Sequence, residues 1–109
     1  MGLLDFMKSP DINEGFKTFA ATPDAALLDV RDPDEYAARH IPGGVNLPLS
    51  QIKSAEDRFP GMDTPLFVYC LSGARSSKAI AALAALGEMG YTKLTNLGGI
   101  RAWRGEIEK

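Results

Sequence analysis

The chain has 109 residues, 45% of them hydrophobic and 24% charged, which is ordinary globular usage and excludes disorder, collagen and coiled coil. Twelve basic side chains against fourteen acidic ones give a net charge of −2, so no basic surplus exists to neutralise a run of phosphates, and nucleic acid is not an expected partner. The single cysteine, Cys70, rules out an internal disulfide framework and a Cys-rich zinc site, and it fits a reducing, cytoplasmic setting.

The start, MGLLDFMKSPD, lacks the basic and apolar regions of a secretory signal. The longest apolar run, residues 79–86, falls far short of the ~20 residues of a membrane span. One soluble domain over residues 1–109, with its core at about 11–105, is the expectation, as a monomer with no membrane partner.

Ser9-Pro10-Asp11 reads as a helix start, with Ser9 capping and Pro10 in the first position. Ile12, Phe16 and Phe19 follow at helical spacing as a core-facing stripe. Ala25–Val30 is a short apolar run ending among Asp29 and Arg31, a buried strand with polar groups at its C-terminal end. Asp32-Pro33-Asp34-Glu35 starts a second helix, Glu35 standing three residues after the cap. Ile41-Pro42-Gly43-Gly44 ends it. Val45–Leu47 is a brief strand, and Ser50 to Phe59 a short helix. Leu66–Tyr69 is the clearest strand. Ser76 to Met89 is the longest helix, with Gly90 in the left-handed position at its end. Tyr91–Leu97 is the last strand, and Gly98-Gly99 turns into a short helix reaching Trp103. Alternating strands and helices define an α/β fold with a largely parallel sheet covered on both faces.

The chemistry concentrates in Cys70-Leu71-Ser72-Gly73-Ala74-Arg75-Ser76, which leaves a buried strand and enters a helix. Ligands of open α/β sheets bind at the C-terminal ends of strands, where the free amides of a following helix point. Gly73 allows the loop to curl so that its amides converge, and Ser72, Ser76 and Ser77 add hydroxyls. A thiol in such a cradle ionises readily, and the thiolate is the nucleophile. Arg75 is expected to add positive charge for an incoming oxyanion. Cysteine-class phosphatases place five residues between Cys and Arg; here only four separate Cys70 from Arg75, a tighter ring suited to a sulfur atom carried on the cysteine.

Four stretches together resemble the rhodanese family in its single-domain form: Leu28–Arg31 with Glu35-Tyr36; His40–Pro48; Cys70-x-x-Gly73-x-Arg75-Ser76; and Leu97–Ile100 with Ala102-Trp103. The resemblance implies a three-layer fold with a five-stranded, mostly parallel sheet flanked by helices. It also implies a sulfurtransferase with Cys70 as nucleophile and residues Leu71, Ser72, Gly73, Ala74, Arg75 and Ser76 as the persulfide-binding loop. The implied partners are a small sulfur donor, thiosulfate or a persulfide, and a thiol, protein or cyanide acceptor. No metal or organic cofactor is implied beyond the covalent persulfide on Cys70. The chain departs from the family at Leu71, where members that use thiosulfate well often carry a basic residue.

Arg31 is a possible substrate contact, or else pairs with an acid such as Glu35, while Asp29 is expected to accept backbone N–H groups. His40 reads as an anchor for its turn, Asn46 as a backbone-bonding residue, and Trp103 as packing. Two other functions share the fold: a phosphatase or arsenate reductase, and a non-catalytic binding or redox-sensing module.

Overall fold

The computed structural model describes residues 11–86 and 90–109. Its first helix, α1 (Ile12–Ala20), is capped by Asp11, whose carboxylate accepts the Asn13 N–H at 3.0 Å. The cap therefore lies two residues beyond the expected Ser9, because Asp11 offers an ionised acceptor where the orphan amides begin. Ser9 and Pro10 themselves lie outside the described residues. Four strands follow: β1 (Ala26–Asp29), β2 (Gly44–Asn46), β3 (Leu66–Cys70) and β4 (Leu94–Gly99). All pair in parallel, in the order β2-β1-β3-β4. The described residues thus form a four-stranded sheet rather than the expected five-stranded one.

Side-chain alternation along the strands divides the core into two layers. Leu28, Leu66, Val68 and Cys70 face one layer with Ala79 and Leu83. Leu27, Phe67, Tyr69 and Leu97 face the other with Ile12 and Ile100, and Phe16, Phe19 and Trp103 pack at its edge. Burial on both faces explains why β3 reads as an unbroken apolar run, all five of its residues being buried.

The connecting helices hold these layers in place. α2 (Pro33–Ala38) starts as its sequence requires, with the Glu35 carboxylate reaching back to the Asp32 N–H at 3.0 Å. The expected helix over 50–59 is instead a 3-10 turn, Leu49–Ser54, continued by one α-helical turn, α3 (Ala55–Arg58). The long helix, α4, runs from Ala74 to Ala84. It begins two residues before the expected Ser76 because Gly73, at φ +106°, already closes the loop. Its end falls at Ala84, well before Gly90, although Gly90 does adopt the left-handed conformation at φ +63°. The expected extension to Met89 runs through residues 87–89, outside the described residues. After β4 a 3-10 turn, Ile100–Ala102, brings the chain to Trp103.

The strand order has one consequence for function. From β1 the chain moves outward to β2, then crosses back to β3 and on to β4. The C-terminal ends of β1 and β3 therefore flank a topological switch point. Asp29 ends one of these strands and Cys70 the other.

Candidate active site

Cys70 is the last residue of β3, on the face covered by α4. It has no measurable exposure. Its Sγ accepts the Gly73 N–H at 2.9 Å and lies 3.6 Å from the Ser76 hydroxyl oxygen. Burial pushes the thiol pKa up. The Ser76 hydroxyl and the backbone N–H groups of Ser76, Gly73 and Ser72 more than offset that, leaving it below its ordinary value. The cradle is thus an array of donors that stabilises negative charge on sulfur.

Two glycines permit this geometry. Gly73 takes a positive φ that L side chains rarely adopt. Gly99 lets β4 press against the loop, since a Cβ there would lie 2.1 Å from the Leu71 carbonyl oxygen and 2.6 Å from the Ser72 Cα.

Ser76 is fully buried, and its oxygen has more than one acceptor within reach. It lies 2.8 Å from Asn96 Oδ1 and 3.0 Å from the Gly73 carbonyl. Beside a neutral thiol the hydroxyl donates to one of these oxygens and accepts from Sγ–H. On ionisation its proton turns to sulfur, while Asn96 Oδ1 retains the Gly98 N–H at 2.8 Å. Asn96 also donates to the Ser77 hydroxyl at 2.9 Å, so it braces both the helix start and the end of β4. Its role is absent from any linear reading, because it arrives on β4, twenty-six residues after Cys70.

The arginines differ from the sequence expectation. Arg31 does not pair with Glu35. Its guanidinium is buried and donates to both Asp29 oxygens, with Nη2 2.6 Å from Oδ2, and to the Arg39 carbonyl at 2.7 Å. With 4% of its side chain exposed, Arg31 braces the β1–α2 junction. Asp29 Oδ1 also accepts the Arg31 N–H at 2.9 Å, as expected of a carboxylate at a strand end. Glu35 instead takes Arg75, in a two-pronged pair at 2.7 and 3.1 Å. That pair, together with the Asp32 N–H, holds the Glu35 carboxyl at a pKa of about 2 against burial. The Arg75 charge is stabilised first by Glu35, with a lesser coulombic contribution from Cys70.

His40 anchors its turn. Its Nδ1 lies 2.9 Å from the Tyr36 carbonyl, its ring stacks on Tyr36, and its backbone exchanges two hydrogen bonds with Glu108. Asn46 donates to the Asp29 and Arg31 carbonyls. Trp103 packs on Phe16 at a centroid distance of 4.9 Å. Among the described residues no group of three or more His, Cys, Asp or Glu side chains converges as a metal site would require.

Beside the loop opens a cleft of about 620 Å³, lined by Leu71 to Ala74, by Ser77, and by Asn96, Gly98, Gly99, Arg101 and Ala102. Gly73 belongs to this wall while directing its N–H at Sγ, so the thiol sits immediately behind it.

A parallel α/β domain carrying an acidified thiol at the end of a central strand, inside a six-residue amide loop, defines a class of nucleophilic-cysteine proteins. The sequence profile of the rhodanese-like domain matches residues 13–106, and the chain belongs to that family. It is 39% identical over 85 residues to the uncharacterized protein YqhL of Bacillus subtilis, covering 77% of this chain and 64% of that one. A sulfurtransferase of Allochromatium vinosum is 41% identical over 85 residues, covering 77% of this chain and 76% of its own length. The thiosulfate sulfurtransferase PspE of Escherichia coli is 36% identical over 75 residues, covering 68% and 69%. Among solved structures, the human single-domain sulfurtransferase TSTD1 superposes with a TM-score of 0.69 at 28% identity, covering 88% of this chain and 96% of that one.

Proposed function

We propose that this chain is a sulfurtransferase that moves a sulfane sulfur through a persulfide on Cys70. The observation that carries the reading is the convergence of Gly73, Ser72 and Ser76 donors on the buried Sγ. The relatives named as sulfurtransferases support it.

With thiosulfate as donor, the Cys70 thiolate attacks the outer sulfur. A new S–S bond forms at Cys70, the bond to the sulfonate sulfur breaks, and sulfite leaves with the electron pair. In the second half a thiolate or cyanide attacks the outer persulfide sulfur, which departs as an organic persulfide or thiocyanate and restores the Cys70 thiolate. Charge balances in both halves, and no outside oxidant or reductant takes part. The loop amides of residues 71–76 stabilise the anionic outer sulfur as they stabilise the thiolate. Arg75, held by Glu35, contributes charge at the loop's end from a fixed position.

The test is thiocyanate release from thiosulfate and cyanide. Turnover is expected with the wild-type chain and is lost in Cys70→Ser. Absence of release with thiosulfate and with persulfide donors alike overturns the reading and favours a non-catalytic binding module.

A further inference from the structure

Arg31, Arg75 and Arg101 stand at the C-terminal end of the sheet near the Cys70 loop, and they are not equivalent; Arg58, also at that end, donates to the Asn46 carbonyl at the end of β2, away from the cleft. Arg31 is taken by Asp29 and Arg75 by Glu35. Arg101 is exposed, and among the described residues no carboxylate lies within ion-pair distance of it. Its backbone is tied to the loop, the N–H donating to the Leu71 carbonyl at 3.2 Å, next to Cys70 in the chain. Among the described residues it is also the one ionisable side chain lining the cleft next to the loop.

The switch-point crevice between β1 and β3 is spanned by the Arg75–Glu35 pair, whereas the open cleft lies on the β4 side. Leu71 and Ala102 give that cleft apolar walls, and its volume of about 620 Å³ is in the range of sites for small organic molecules rather than for a bare inorganic anion.

We propose that Arg101 is the anion-binding residue of the site, taking the carboxylate or sulfonate end of the sulfur compound that reacts at Cys70. The cleft favours an organic thiol or persulfide bearing a carboxylate, its apolar stretch lying along Leu71 and Ala102. This assignment rests on the sulfurtransferase reading for the identity of its substrate, and on the cleft alone for the anion site.

Alkylation of Cys70 tests the anion site without any turnover. Anionic iodoacetate and neutral iodoacetamide are compared in the wild type, Arg101→Gln, Arg101→Lys and, as a control for exposed charge outside the cleft, Lys78→Gln. Arg101→Gln is expected to slow iodoacetate about five-fold while leaving iodoacetamide within about two-fold, as loss of one partly screened charge interaction implies. Arg101→Lys restores most of the difference, and Lys78→Gln does not reproduce it. An unchanged ratio of the two rates in Arg101→Gln, or an equal change in Lys78→Gln, overturns the proposal.

A second arm locates the anion. With 3-mercaptopropionate as acceptor, KM rises in Arg101→Gln while kcat holds, and 2-mercaptoethanol is unaffected. A rise confined to thiosulfate assigns Arg101 to the donor's sulfonate instead. A changed alkylation ratio in a chain that transfers no sulfur keeps the anion site and removes the sulfurtransferase reading. Sulfur transfer with unchanged ratio and KM does the reverse.

Discussion

Two strand-to-helix junctions stand side by side at the same end of the sheet, and their polar groups are used in opposite ways. After β1, Asp29 and Arg31 satisfy each other, and the Arg31 guanidinium spends a further hydrogen bond on the Arg39 carbonyl. After β3, the Gly73 N–H and the neighbouring donors point at one sulfur atom, and the start of α4 and Asn96 help hold them in place. Mutual pairing makes the first junction a brace. Convergence on an ionisable atom makes the second a cradle for negative charge on sulfur. An arginine near a cysteine therefore says little by itself: what matters is whether a carboxylate already holds it.

The sharpest way to break the comparison is to empty the brace. Asp29→Ala leaves the Arg31 guanidinium buried with its ion-pair partner gone, and a loss of about 3–5 kcal/mol is expected in denaturant unfolding. Replacing both partners by apolar residues of similar size recovers most of that loss, because the buried charge goes with its partner. A single-variant loss well below about 1 kcal/mol would show that Arg31 finds water on leaving Asp29.

A smaller effect separates the two candidate sources of thiolate stabilisation. Ser76→Ala removes a donor in reach of Sγ, so the pH profile of Cys70 alkylation moves upward and sulfur loading near neutrality slows about three- to ten-fold. Arg75→Gln moves the same profile less, since Glu35 already offsets that charge. A larger shift for Arg75→Gln than for Ser76→Ala would return the leading role to the arginine.

The smallest effect concerns the pair that ties the junctions together. The Glu35 carboxyl is depressed from 4.5 to about 2 in the folded chain. Below its ordinary range the unfolded chain binds more protons, so stability rises with pH there. The contribution of the pair is complete above about pH 4.5 and is lost as pH falls toward 2. Both side chains are near one-third exposed, which limits the contribution to about 1 kcal/mol. Glu35→Gln should flatten that part of the stability–pH curve, and an unaltered slope would count against the pair.

Much of this was legible in the residues because its causes are local. Asp32-Pro33-x-Glu35 produces α2, the Leu66–Tyr69 run produces β3, and Gly73 turns the loop where a positive φ is needed. The helix starts depend on finer local geometry: Asp11 caps α1, and Gly73 turns the loop so that α4 begins at Ala74 rather than at Ser76. The pairing of the arginines was not legible. Arg31 has acids at two, one, three and four residues' distance, and only the fold shows that Glu35 turns toward Arg75 across forty residues. Asn96 and Arg101 were missed for the same reason: they meet the Cys70 loop only because β4 pairs with β3 and Gly99 permits close approach.

If Cys70 carries sulfur, the donors around it hold a sulfur-bound negative charge through a covalent intermediate. Intact mass of the wild-type chain and of Cys70→Ser, before and after incubation with thiosulfate or a persulfide donor, tests it most directly. A gain of one sulfur atom is expected in the wild type alone, removed by cyanide. A wild-type chain that gains no sulfur from any donor, or a Cys70→Ser chain that gains it equally, would contradict it.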